Sequence, residues 1–124
     1  MRNSHRFWLA AALLTIAFPV NAGESITVAV SPRQSFGPTN LTVRVRVQPD
    51  ADNRALQIVA DSGEFYRSSQ IQLDGERAER TVVVEFRGVP SGDYEVYGVL
   101  FNSVGHRRAM ARQQASVLSQ GGER

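Results

Sequence analysis

Between Leu41 and Val47 the chain places an apolar residue at every second position, Leu41, Val43, Val45 and Val47, with Thr42, Arg44 and Arg46 in between. A side-chain period of two sends the first set to one face of a β-strand and the second to the other. One face is therefore built for a core and the other for water. The same alternation recurs along the chain. Ile26, Val28 and Val30 mark a strand over 25–30, and Leu56, Ile58 and Ala60 mark a third after the one just described. Val82, Val84 and Phe86 turn inward along 80–86, as do Tyr94, Val96, Gly98 and Leu100 along 94–101. A last strand covers 108–117, and two weaker pieces lie at 65–67 and 70–73. No stretch carries the 3.6-residue period of an amphipathic helix.

Turn-forming clusters separate these runs at short intervals: Pro49 to Asn53, Asp61 to Gly63, Asp74 to Glu76, Gly88 to Asp93, and Asn102 to Gly105. Pro32 and Pro38 interrupt the ladder after the first strand, which suits a strand at a sheet edge. Short alternating strands at this spacing predict an all-β, antiparallel, two-sheet sandwich.

Ahead of the strands, Arg2 and Arg6 precede an apolar run from Phe7 to Val20, followed by the small-residue site Val20-Asn21-Ala22. This is the layout of a cleaved secretory signal peptide, and it predicts an exported protein, periplasmic or secreted. The run is too short to span a bilayer, which takes roughly 20 residues, so no stable membrane insertion is expected after cleavage. The expected organisation is a signal peptide over 1–22, one β-sandwich over 23–118 and a flexible tail over 119–124.

Cleavage also corrects the charge. The formal +2 of the whole chain disappears once Arg2 and Arg6 leave. A neutral domain has no surplus of cations to displace counterions from phosphates, so nucleic acid is not an expected partner. The sequence has no cysteine, which removes disulfides, thiolate metal sites and cysteine nucleophiles and leaves stability to packing alone.

From Val89 to Gly105 the chain resembles the corner and following hairpin of an immunoglobulin-like or fibronectin type III-like domain. Pro90, Gly92 and Asp93 precede Tyr94, with Val96 two residues later, in the arrangement of a tyrosine corner, whose hydroxyl bonds back to the loop. Antibody-type domains hold a cysteine where this chain has Val96, and they carry a core tryptophan that is missing here. The resemblance implies a disulfide-free, immunoglobulin-like β-sandwich of about seven strands. It brings no catalytic or binding residues with it.

Candidate chemistry is sparse. His106, the one histidine past the leader, lies in the last hairpin beside Ser103, which is no place for a catalytic triad. Glu64, Asp74, Glu76, Glu79, Glu85, Asp93 and Glu95 could supply a glycosidase-type pair, but they fall in turns or on outward strand positions. Asp50, Asp52 and Asn53 are clustered oxygen donors without the spacing of a calcium loop and read as a turn. Asn40-Leu41-Thr42 is a formal glycosylation acceptor that reads as chance. No metal and no cofactor are expected.

One feature departs from the pattern. Tyr97, Val99 and Phe101 point outward on their strand, and Val59 joins them if the third strand lies alongside. Such an outer apolar patch marks an interaction surface. Arg44 and Arg46 share a second outward face suited to an anionic partner. The expectation is thus a non-enzymatic exported binding or structural module acting through protein contacts or self-association. The alternatives are a carbohydrate-binding module stacking Tyr97, Phe101 and Tyr66 on sugars and, behind it, a small carboxylate-dependent hydrolase.

Overall fold

The computed structural model describes residues 25–119. Eight strands are present among them: β1 (Ile26–Ser31), β2 (Gln34–Phe36), β3 (Thr39–Val47), β4 (Ala55–Asp61), β5 (Tyr66–Gln72), β6 (Thr81–Val89), β7 (Gly92–Phe101) and β8 (Arg107–Leu118). The only helical turn among the described residues is a 3-10 turn over Gly75–Arg77. The expected signal peptide and most of the expected tail lie outside the described residues.

The strands form two sheets, β1-β3-β6 and β2-β8-β7-β4-β5. All pairings are antiparallel except that of β2 with β8. Each sheet turns its aliphatic row toward the other. Leu41, Val43 and Val45 of β3 are fully buried, and so are Leu56 and Ile58 of β4 and Tyr94, Val96 and Leu100 of β7. These residues belong to one continuous core. Gly98 sits among them because the space above it is already taken. A side chain there would start 3.4 Å from Val28 and 3.6 Å from Ile26 of the facing sheet.

Two features tie the sheets together at their margins. The backbone N–H of Val30 on β1 donates to Oε1 of Gln113 on β8 at 2.8 Å, satisfying an edge-strand donor from the opposite sheet. At the corner before β7, the Tyr94 hydroxyl donates to the Pro90 carbonyl at 2.7 Å. Its ring meets Phe65 edge-on at 6.2 Å, and the Arg67 guanidinium lies over the Phe65 ring, 5.1 Å from its centroid. Burial pushes the Tyr94 phenol up from its ordinary value, against a smaller pull downward from the Ser62 hydroxyl.

Three elements differ from the pattern-based expectation. The 32–38 stretch is more than a break, because its middle pairs with β8 in parallel: Gln34 lies beside Ser116 and Phe36 beside Leu118. Gly37 allows this close approach, since a Cβ there would fall 2.9 Å from Val117 and 3.0 Å from the Ser91 nitrogen. The two weak pieces flanking Ser68 and Ser69 are one strand, held continuous by the ladder it shares with β4. The broad turn expected from Gly88 to Asp93 shrinks to Pro90 and Ser91. Gly88 (φ 63°) and Gly92 (φ 157°) adopt backbone angles that let β6 and β7 run into the corner.

Two substitutions separate the corner from the core. Leu56→Ala should cost about 2–5 kcal/mol in chemical denaturation, through lost burial and the cavity left behind. Tyr94→Phe, which keeps the ring but strands the Pro90 carbonyl, should cost about 1 kcal/mol. A Tyr94→Phe variant as stable as the parent would show that the corner hydrogen bond contributes nothing.

Candidate functional site

The outward residues of the five-stranded sheet line up across strands because register fixes them. Tyr97 lies between Val59 of β4 and Arg112 of β8, and Val99 lies between Gln57 and Met110. Asp61 is paired with Glu95 on one side and Tyr66 on the other, while Phe101 lies next to Arg107. The face is thus banded along the strands. Tyr66, Asp61 and Glu95 occupy one end, Val59, Tyr97, Val99 and Met110 the middle, and Phe101 with Arg107 the other end.

Four of the residues singled out from sequence, Tyr97, Val99, Phe101 and Val59, are therefore brought together. They are not equally open. Val59 and Val99 are 1% and 3% exposed, whereas Tyr97 and Phe101 are half-buried. Met110 and Tyr66 add exposed apolar surface beside them. Burial raises the Tyr97 phenol above its ordinary value, and Tyr66, Asp61 and Glu95 raise it further, while Arg107 opposes them. Glu95 also holds Arg112 in an ion pair at 2.9 Å.

Arg44 and Arg46 lie elsewhere, exposed on the outer face of β3 in the other sheet. Thr27 and Ala29 of β1 flank them on one side, and Thr81 and Val83 of β6 on the other. The two sets of candidate residues thus belong to opposite surfaces.

The connection from β3 to β4 contains a polar hub that the sequence pattern did not reveal. Asn53 is fully buried. Its Nδ2 donates to the Gln48 carbonyl at 3.0 Å, and its Oδ1 accepts from the Arg108 guanidinium. Its backbone carbonyl accepts from the Gly75 N–H at 3.0 Å, tying in the 3-10 turn. Asp50 completes the set, with Oδ2 3.2 Å from Arg108 and Oδ1 accepting from the Asp52 N–H at 2.8 Å. In the sequence Asn53 looked like any other residue of a turn cluster, and nothing there distinguished a buried amide from a solvated one. Asp52 meanwhile reaches across to the last hairpin. Its Oδ1 accepts from the Ser103 hydroxyl at 2.8 Å and from the Ser103 N–H at 3.3 Å. Asp50, Asp52 and Asn53 are thus engaged in binding the turn to its neighbours.

The expected hydrolase alternative finds no support in this geometry. Glu64, Asp74, Glu76, Glu79, Glu85 and Asp93 are all exposed. Glu95 is half-buried on the outer face and committed to Arg112.

No protein-family model matches the sequence, and no curated protein matches it. Solved structures do. Two variants of the superoxide reductase (neelaredoxin) from Ignicoccus hospitalis align over 82% of this chain and 86% of theirs, with 14% sequence identity and TM-scores of 0.53 and 0.54. The fold is therefore one that this superoxide reductase also uses. This overturns three expectations: the immunoglobulin-like or fibronectin type III-like affiliation, the non-enzymatic binding module with its carbohydrate-binding alternative, and the assignment of the chain as no enzyme. The physical reason is that alternating strands and a tyrosine-pinned corner follow from packing two antiparallel sheets. Families with unrelated chemistry share that requirement.

The described residues do not bring together the donor set that a metal centre needs. The chain has no cysteine. His106 is exposed in the β7–β8 hairpin, and no group of three or more histidine, cysteine, aspartate or glutamate side chains converges among the described residues.

The Asp52–Ser103 contact has a measurable consequence. The two hydrogen bonds from Ser103 hold the Asp52 carboxyl below its ordinary value, helped by the nearby Arg108 and Arg54. A depressed carboxylate favours the folded state above its unfolded pKa, and that contribution is lost as the pH falls through the folded pKa. An NMR titration should give Asp52 a midpoint below that of an ordinary aspartate, and Ser103→Ala should move it upward. A midpoint unmoved by Ser103→Ala would exclude the hydroxyl as the cause.

Proposed function

We propose that the working surface of this domain is the outer face of its five-stranded sheet, and that a second copy of the chain occupies it. The observation that supports this reading is the order of the bands: Asp61 at one end beside the Glu95–Arg112 ion pair, a middle where Tyr97 and Met110 give apolar surface, and Arg107 at the other end. A two-fold axis lying in the plane between the copies and running across the strands through the middle places the acidic end of one copy over the basic end of the other and stacks the two apolar centres. A surface that complements itself under such a rotation is what an isologous dimer requires.

The purified domain should elute as a dimer and give a dimeric mass by light scattering. Tyr97→Ser combined with Phe101→Ser should yield a folded monomer. Arg107→Glu should also weaken the dimer, and adding Asp61→Arg, which exchanges the two ends, should restore it. A parent protein that is monomeric at every concentration, or a charge exchange that restores nothing, would rule this face out as a self-association surface.

The fold carries a second reading. The likeness to two variants of one superoxide reductase favours an oxidoreductase role, although the donor set described above does not supply a metal centre. The direct test is superoxide consumption by the purified chain after incubation with first-row divalent metals, compared with the same metals alone. A rate above the metal-only control supports the redox reading, and a rate equal to it removes that reading.

A further inference from the structure

A groove of about 350 Å³ opens where the start of β1, the end of β3 and the chain leading into β6 come together. Ser25, Ile26 and Thr27 line it from β1, Arg46, Val47, Gln48 and Pro49 from β3 and its exit, and Arg80 from the approach to β6. Its frame is fixed by backbone pairing. The Val47 N–H donates to the Arg80 carbonyl at 2.8 Å, and the Gln48 N–H donates to the Ser25 carbonyl at 2.8 Å. Register then sets the polar groups. Thr27 stands beside Arg46 on one flank, and on the other Arg46 faces Thr81, the residue after Arg80.

We propose that this groove binds a tetrahedral oxyanion, a phosphate or sulfate group, between the guanidinium groups of Arg46 and Arg80, with the hydroxyls of Ser25 and Thr27 as further donors. Arg46 and Arg80 are exposed, and neither forms an ion pair among the described residues. In this they differ from Arg87, Arg108 and Arg112, which are each paired with a carboxylate. No carboxylate lines the groove to compete for the two cations. Guanidinium presents several N–H donors in a planar fork that fits phosphate and sulfate oxygens, and two forks converging on one anion form charge-assisted hydrogen bonds stronger than neutral ones. The buried side chains of Ile26 and Val47 back the groove, so part of its wall is apolar and screens these contacts less than open water does. The site lies on the opposite sheet from the proposed dimer face and does not depend on it.

Calorimetric titration at constant ionic strength tests this, with inorganic phosphate and inorganic sulfate in separate arms and chloride as the reference anion. At least one of the two should bind with a stoichiometry of one per chain. Arg46→Gln and Arg80→Gln should each weaken that binding about tenfold or more, in line with the loss of a hydrogen bond to a charged group. Arg87→Gln, which removes an arginine already paired with Glu85, should leave it unchanged. Both substituted arginines are exposed, so circular dichroism should show all variants folded. Absence of binding in both arms overturns the proposal, as does binding that survives in the Arg46→Gln, Arg80→Gln double variant. Excluded-solute stabilisation by sulfate raises Tm without a site, so the heat of binding is the deciding measurement.

Discussion

The structure depends on the closure of two aliphatic rows against each other. Leu41, Val43 and Val45 from one sheet and Leu56, Ile58, Val96 and Leu100 from the other are fully buried. No disulfide assists them, because the chain has no cysteine. Since the side-chain period is two, a one-residue slip of β3 would carry its whole apolar row to solvent and bring Thr42, Arg44 and Arg46 inward. That cost is what fixes register. Register in turn decides which outward residues stand side by side, so the core indirectly builds both surfaces of the molecule.

The polar ends are held by a different principle. A connection between sheets leaves backbone groups without ladder partners, and these must be satisfied locally. Asn53 does this for the β3–β4 connection, bonding to Gln48, Gly75 and Arg108 from a fully buried position. The Tyr94 hydroxyl does it for the corner before β7. Each is a single side chain that takes up a loop carbonyl, that of Gln48 for Asn53 and that of Pro90 for Tyr94.

The likeness to superoxide reductases shows how little of a fold's chemistry is contained in its strands. The two-sheet frame is shared, while no group of three or more histidine, cysteine, aspartate or glutamate side chains converges among the described residues of this chain. Function on such a frame is carried by what its loops and outer faces present. Here the outer faces are distinct. The five-stranded sheet carries a banded surface of aromatic and charged residues, and the three-stranded sheet carries exposed arginines.

The sequence by itself determined that the described part of the chain is all-β, and it identified the inward rows of β3, β4 and β7, because alternation is a local property that can be read wherever one face is wet and the other dry. It also marked Tyr97, Val99, Phe101 and Val59 as outward apolar residues, an inference that needed only the parity of each strand and an assumed neighbour. Tertiary structure alone decided the rest. Pairing of β2 with β8 depends on Gly37 meeting Val117 and Ser91, residues far along the chain. The burial of Asn53 depends on Arg108 arriving from the last strand. The separation of Arg46 from the aromatic face, and its meeting with Arg80 in one groove, follow from which strands share a sheet. Family affiliation was beyond the pattern as well, because hydrophobic alternation records how two sheets pack, and packing is blind to the chemistry mounted on them.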